Sequence, residues 1–323
     1  MRIAIVKSSS MGDVVHALPV VTDLVDAHPG IEIDWVVEEA FADLPRLHPA
    51  VAEVVPVAVR RWRRTPFAPA VRAEVAAVRE RLRARGYGLV LDLQGLVKSA
   101  WLSRLAGAPV AGFDRASARE PLACLAYRHR YRVPLRLHAI ERLRQLAGQA
   151  LGHPVSGLPH FGLRAPSASV PGLPAAPFAV FLHATSRPAK QWPQAHWQAL
   201  GQALAARGLA VVLPWGSEPE RAQAEVLAAA IGEGAWVAPR LSLAQCAALL
   251  AGARLAVGVD TGLTHLSAAL DTPTAALFAA TPAWRFGPFW TDRAVSLGED
   301  GLWPTAAAVQ SALVRIAGLE ASR

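Results

Sequence analysis

The chain contains three lysines, and each stands at or just beyond a strand-like apolar run: Lys7 after Ile3-Ala4-Ile5-Val6, Lys98 after Leu89-Val90-Leu91-Asp92, and Lys190 after Phe178 to Leu182. Small polar residues that could serve a ligand surround each of them. Lys7 opens the segment Ser8-Ser9-Ser10-Met11-Gly12-Asp13, in which short side chains and a glycine let backbone amides approach a bound group. Asp13, at the entrance to an apolar helix, fits two roles: a helix N-cap, or a general base that is ionised near neutral pH. Asp92-Leu93-Gln94-Gly95-Leu96-Val97-Lys98 repeats this arrangement. In the second half, the stretch from His183 to Pro193 places Thr185, Ser186 and Lys190 before a helix, a set able to hold a diphosphate without a metal. Gly258-Val259-Asp260-Thr261-Gly262-Leu263-Thr264-His265 has the same form, with the Thr261 and Gly262 amides facing phosphate. Asp260 there is either an acceptor for sugar hydroxyls or a cap, and His265 fits a satisfied core histidine as well as a ligand. Finally, Arg60-Arg61-Trp62-Arg63-Arg64 brings four guanidinium groups together after a strand. Their forks match carboxylate and phosphate oxygens, and the alternative is a solvated basic loop.

Loops of this kind need a frame that gathers them on one edge. Candidate strands at 2–7, 32–38, 53–59 and 89–94 alternate with helical patterns at 13–28, 67–85 and 96–107. A strand-like piece at 127–133 and a helix at 138–151 follow. After a Pro-rich stretch the alternation restarts, with strands at 178–184, 210–214, 235–238, 255–259 and 274–279. Helices fit 194–207, 218–231, 242–253 and 263–270, and a last one over 305–319 could pack on either half. The expected class is α/β, with two Rossmann-like doubly wound domains over 1–155 and 178–323 and a linker over 156–177. Ligands in such folds sit outside the carboxyl ends of the strands, where the loops above lie.

Composition narrows the partners. Of 323 residues 53% are hydrophobic and 10 are Trp, which excludes a mainly disordered chain. Residues 1–160 hold 22 Lys and Arg against 15 Asp and Glu, a net of +7, while residues 161–323 hold 11 against 10, a net of +1. The first half therefore faces something anionic: nucleic acid, an acidic membrane surface or a phosphorylated substrate. The N-terminus turns polar at Ser8, too early for a secretory signal, and no apolar run approaches the roughly 18 residues of a spanning helix. A cytoplasmic chain is expected. Cys124 and Cys246 lie far apart and outside any metal-ligand spacing, which fits buried apolar thiols in a reducing compartment. Neither a Walker motif nor a dinucleotide fingerprint is present, which argues against NTPases and dehydrogenases.

Taken in order, Ser9-Ser10-Met11-Gly12-Asp13-Val14, Trp35-Val36-Val37-Glu38-Glu39, Arg60-Arg61-Trp62-Arg63, Gln94 to Ser99, Ala118-Arg119-Glu120-Pro121-Leu122, His183-Ala184-Thr185, Lys190-Gln191-Trp192-Pro193 and Val259 to Leu263 make the chain resemble the lipopolysaccharide heptosyltransferases, type I above all. The resemblance implies a GT-B fold, two domains facing a central cleft. It implies an ADP-heptose donor, the inner Kdo of Kdo2-lipid A as acceptor, and inverting transfer. Asp13 then matches the general base. Thr185, Ser186 and Lys190 match the donor diphosphate site, and Asp260, Thr261, Gly262 and His265 the sugar-phosphate site. Trp215 begins the adenosine loop, with Glu220 or Glu218 on the ribose. The acceptor side comprises Ser10, Gly12, Arg60, Arg61, Arg63, Arg64, Gln94, Lys98, Arg119 and Glu120. The chain departs from the family pattern at Pro188-Ala189, at Leu241 and at Ala279-Ala280. The resemblance further implies no metal, no nucleic acid partner, and a peripheral position on the anionic cytoplasmic face of the inner membrane. Alternatives are a type II or III enzyme of the same family, a nucleotide-sugar epimerase on the same frame, or a nucleic-acid-binding protein suggested by the net charge of +8.

Overall fold

Runs such as Ile3-Ala4-Ile5-Val6 are buried along their whole length, so they pair as parallel strands covered by helices on both faces. The computed structural model, which describes residues 1–185, 187–299 and 301–319, contains two sheets of this kind. The chain divides into two compact units, Met1–Arg164 and Ala165–Arg323, the division falling inside the Pro-rich stretch.

The first unit runs β1 (Arg2–Val6), α1 (Met11–Val15), α2 (Pro19–Ala27), β2 (Glu32–Glu38), α3 (Asp43–Arg46), β3 (Val51–Val57), α4 (Val59–Trp62), α5 (Pro69–Ala84), β4 (Leu89–Asp92), α6 (Val97–Leu105), β5 (Val110–Phe113), a 3-10 turn (Pro121–Ala126), β6 (His129–Tyr131) and α7 (Ala139–Leu151). Its six strands lie in the order β3-β2-β1-β4-β5-β6, all parallel, with Ile5 level with Trp35 on one side and Leu91 on the other. The second unit runs β7 (Phe178–Leu182), α8 (Gln194–Ala205), β8 (Ala210–Leu213), α9 (Glu218–Ile231), β9 (Ala235–Val237), α10 (Leu243–Gly252), β10 (Leu255–Val259), α11 (Gly262–Ala269), β11 (Thr274–Leu277), α12 (Ala283–Phe286), β12 (Ala294–Leu297) and α13 (Ala306–Ala317). Its order is β12-β11-β10-β7-β8-β9, again all parallel. In each sheet the winding reverses once, between β1 and β4 and between β7 and β10. At such a reversal the loops leaving the two strands part toward opposite faces and open a crevice.

Several expectations need correction. The helix expected over 13–28 is two helices, because Pro19 lacks the N–H that would continue the first and instead occupies the first turn of the second. Each sheet has one strand more than the sequence pattern indicated. β5 is four residues long and includes Gly112, where a Cβ would stand 2.5 Å from the Tyr127 ring. β12 is equally short and lies at the sheet edge. Arg60 and Arg61 belong to the single turn α4, not to a loop, and the turn is pinned by buried Trp62, whose Nε1 donates to Glu74 at 2.7 Å. The last helix packs on α8, β11 and β12 of its own unit through Val309 and Leu313. Both cysteines are free and buried.

Beyond α7 the chain remains strapped to the first unit. Buried Arg144 grips Asp23 through two bonds of 2.8 and 3.0 Å and donates to the carbonyls of Ser156 and Gly157 at 3.0 Å each. The Arg164 N–H reaches the Leu47 carbonyl at 2.9 Å.

Candidate active site

At the first reversal, the β1 and β4 loops are stitched to each other. The Gln94 carboxamide oxygen accepts from the N–H and the hydroxyl of Ser8, both at 2.8 Å. Asp92, fully buried at the end of β4, accepts from the N–H groups of Gln94 and Gly95 at 2.8 and 3.2 Å and from the Ser99 and Tyr127 hydroxyls at 2.8 Å each. Burial pushes the Asp92 pKa up, and those four donors are what make the group tolerable in the core. Glu120 takes the Val97 N–H at 2.7 Å and so caps α6.

Into this frame comes Asp13. The N-cap of α1 is Ser10, and Asp13 occupies the third helical position, where its Oδ2 accepts from the Ser10 N–H at 3.0 Å and the Ser10 hydroxyl at 2.7 Å. The ammonium of Lys7 stands 3.8 Å from Oδ1 and donates to the Leu93 carbonyl at 3.1 Å. Burial alone would push the Asp13 carboxyl up, but Lys7, the two Ser10 bonds and His16 more than offset it and hold the pKa at about 2. Lys7 is itself buried, which lowers its pKa against the pull of Asp13 and Asp92. The result is a fixed, charged carboxylate with a third of its side chain (33%) open to a ligand.

Around it, Lys98 in the first turn of α6 donates to the Ser9 hydroxyl at 2.6 Å and feels the charges of Glu38, Arg60 and Arg63. The basic segment divides. Arg60 gives its N–H to Glu38 at 2.9 Å and lays its guanidinium 5.4 Å from the Phe41 ring centre. Arg61 turns to Glu74 at 2.8 Å and Glu39 at 3.6 Å, while Arg63 and Arg64 are exposed. Gly12 is half-buried within α1, and Arg119 is exposed just before the capping Glu120.

At the second reversal the central group is Asp260. The N-cap of α11 is Thr261, so Asp260 precedes the cap instead of forming it. Its carboxylate accepts from Lys190 Nζ at 2.5 Å, from the Thr281 hydroxyl at 2.6 Å and from His265 Nε2 at 3.1 Å. Burial raises its pKa, but His265, Lys190 and Thr281 outweigh this and hold it well below the usual carboxylate range. Lys190 is steadied because Trp192, two residues on, is buried and donates to the Pro304 carbonyl at 2.8 Å. α11 can approach β10 closely only because residue 258 is glycine: a Cβ there would lie 2.1 Å from the Thr264 hydroxyl, which donates to the Val259 carbonyl at 2.7 Å. The first N–H groups of α11, at Gly262 and Leu263, point out of the helix end toward any ligand over the β10 edge.

His183 ends β7 buried, and burial keeps its pKa below the usual value. The Thr185 hydroxyl accepts from the Arg187 N–H at 3.5 Å. Ser186 lies outside the described residues. Trp215, half-buried, donates to the Ala238 carbonyl at 2.6 Å under the Arg221 guanidinium, and Glu220 holds the Gly216 N–H at 2.7 Å. The carboxylate of Glu220 thus shapes the loop after β8, while Glu218 is largely exposed. Thr281 and Lys7 were missing from the expected site residues. Lys7 carried a signal in the scarcity of lysine; Thr281 joins Asp260 only because β11 lies beside β10. Among the described residues no group of three or more His, Cys, Asp or Glu could hold a metal ion, and no helix is long and apolar enough to cross a membrane.

Comparison with known proteins bears on this arrangement. The profile of glycosyltransferase family 9 (heptosyltransferase) matches residues 75–313. The chain is 50% identical to lipopolysaccharide heptosyltransferase 1 of Pseudomonas aeruginosa over 302 residues, 93% of this chain and 84% of that one. It superposes on the heptosyltransferase WaaC of E. coli with ADP at a TM-score of 0.88 and 42% identity, and with ADP-2-deoxy-2-fluoro heptose at 0.83 and 43%; each match covers 96% of this chain and 98% of the other. By contrast, a lipopolysaccharide heptosyltransferase 2 of Salmonella typhimurium is 39% identical over 95 residues, 28% of this chain.

Proposed function

The chain belongs to glycosyltransferase family 9, the heptosyltransferases, and on that premise we propose that it transfers L-glycero-D-manno-heptose from ADP-heptose to the inner Kdo of Kdo2-lipid A, with inversion, in building the lipopolysaccharide inner core. The observation that carries this reading is the pair of like constellations at the two reversals: a carboxylate held charged by a buried lysine in one unit, and a lysine held by a shielded carboxylate in the other. The likeness to type 1 enzymes spans nearly the whole chain, whereas the type 2 likeness is confined to a part, which favours the type 1 acceptor.

As the anomeric C–O bond of the donor breaks, negative charge grows on the departing diphosphate. Lys190 and the N-terminal amides of α11 meet that charge, with Thr185 and Thr261 beside them. Asp260 orients the ammonium of Lys190, and Thr281 and His265 fix Asp260 in turn. Trp215 and Glu220 frame the nucleoside. On the acceptor side, Asp13 takes the proton of the attacking Kdo hydroxyl. A carboxylate of such low resting basicity accepts it only as the hydroxyl becomes acidic in the transition state. Lys98, Arg63, Arg64 and Arg119 meet the Kdo carboxylates and lipid A phosphates. The reading assigns no step to a metal, so an added chelator leaves the rate unchanged. It places the enzyme at the cytoplasmic face of the membrane that holds its lipid acceptor. Incubation with ADP-heptose and Kdo2-lipid A, read by mass spectrometry, should give a product heavier by one heptose; ADP release with no such product would sink the acceptor assignment.

A further inference from the structure

Large apolar side chains reach into solvent together at one place on the first unit. α6 and the 3-10 turn Pro121–Ala126 pack on each other, and their inner residues Ala100, Leu102, Ala123 and Cys124 share one buried cluster with Trp62. Their outer residues lie on the solvent side of this packed pair. Val97 and Trp101 stand one turn apart on α6, 48% and 42% exposed. Residues three apart in a 3-10 turn eclipse, so Leu122 and Leu125, 70% and 72% exposed, project on one side. The Trp101 ring meets the edge of Trp62 at 6.3 Å, which props the indole outward.

The charge around this ridge is mostly positive. The spans 61–64, 97–104 and 119–128 contain seven Lys and Arg, of which Arg61 is paired with Glu39 and Glu74, and one acid, Glu120, whose carboxylate is taken by the Val97 N–H. An apolar ridge whose flanking cations outnumber its acids matches an interface between acyl chains and anionic headgroups. The ridge also adjoins the acceptor side, because Lys98 of the same helix donates to Ser9 in the β1 loop.

We propose that Trp101, Leu122 and Leu125 seat this face of the first unit on a bilayer bearing anionic headgroups, with the flanking arginines on the lipid phosphates. The inference rests on the lipid-acceptor reading above and extends it: α6 would present the Asp13 loop to a sugar standing on the membrane that the ridge touches.

The test uses the full chain and vesicles of phosphatidylglycerol and phosphatidylethanolamine that contain no acceptor. Wild type should cosediment with them, less so when salt is raised to about 0.5 M. Leu122→Ser with Leu125→Ser should weaken partitioning by about tenfold or more, since two exposed leucines no longer reach the apolar layer. ADP binding and melting temperature confirm that the variant folds; if it does not, Trp101→Ser provides the same comparison. Equal vesicle binding by the leucine variant and wild type overturns the proposal. Arg63→Gln with Arg64→Gln should also weaken binding and make what remains less sensitive to salt; wild-type binding and wild-type salt dependence in that variant would overturn the phosphate contact. Dimerisation of wild type, with a monomeric leucine variant and no vesicle binding by either, would identify a second copy of the chain as the occupant and overturn it as well. Transfer to a deacylated, water-soluble acceptor is read separately: it should be unchanged in the leucine variant, and its absence in wild type would count against the proposed reaction while leaving the vesicle result standing.

Discussion

Lys7 and Asp13 together decide how a carboxylate can be a base while half hidden from water. Asp13→Asn keeps the size and the helical position but cannot take a proton, so turnover should fall by roughly 10² to 10⁴ with ADP affinity unchanged. Activity within about tenfold of wild type would remove Asp13 from that role. Lys7→Met acts in the other direction on the same group. With the ammonium gone, burial is less opposed and the Asp13 pKa rises from about 2. Because only the charged carboxylate is active, the acid limb of kcat/KM against pH should move upward in the variant. A lower rate at every pH with the limb in place would leave Lys7 a packing role only. The same linkage bears on stability: a carboxyl lowered by folding stabilises the fold above its unfolded value, and that contribution is lost as pH falls toward 2. In the second unit, Lys190→Ala should weaken ADP binding, seen by calorimetry, and reduce turnover further, since the charge it meets grows in the transition state. Unchanged affinity together with unchanged turnover would exclude it from the donor site.

At the scale of elements, the strands that carry these residues were readable and the order that brings them together was not. The uninterrupted apolar runs of β1, β4, β7 and β10 mark buried parallel strands, and the polar residues after each mark the functional edge. Nothing local says that β1 lies beside β4 or β7 beside β10, because sheet order arises from long-range packing. That is why the Ser8–Gln94 and Asp260–Thr281 contacts were not legible in the sequence. The missed strands failed for a local reason: β5 spends two of its four positions on Ala111 and Gly112, residues with little strand preference. The two aspartates were ambiguous between caps and chemistry: in both loops a hydroxyl residue, Ser10 or Thr261, holds the N-cap position, while Asp13 completes a capping box by accepting from the Ser10 N–H. The β10–α11 junction provides the element-scale prediction. Gly258→Ala would drive a methyl against the Thr264 hydroxyl at 2.1 Å and Leu182 Cβ at 2.9 Å. Overpacking of this kind costs about 1–3 kcal/mol, so the melting temperature should drop and ADP binding should weaken as Asp260 shifts. A variant with wild-type melting and ADP affinity would show that the helix can slide without consequence.

Across the whole molecule the charge is lopsided, +7 in residues 1–160 against +1 in residues 161–323. Of the four clustered arginines, Arg61 is paired with Glu39 and Glu74 and Arg60 lies against the Phe41 ring, so the solvent-facing share of that charge rests on Arg63 and Arg64. Arg63→Gln with Arg64→Gln should raise the acceptor KM and flatten its dependence on salt, while the Kd for ADP stays put. An acceptor KM as salt-sensitive as that of wild type would place the anion contact elsewhere. The strap made by Arg144 bears on how this chain could be cut. Since Ser156, Gly157 and Arg164 are tied to the first unit and the Ser169 carbonyl accepts from Gln245 Nε2 of the second at 3.1 Å, the untied span is 165–168, and it holds no Lys or Arg. Trypsin, for all the arginines elsewhere, has no target there; elastase, which cuts after small residues not followed by proline, finds Ser167 and Ala168. A brief elastase digest should therefore nick the chain once and leave two pieces, each with its own intact six-stranded sheet.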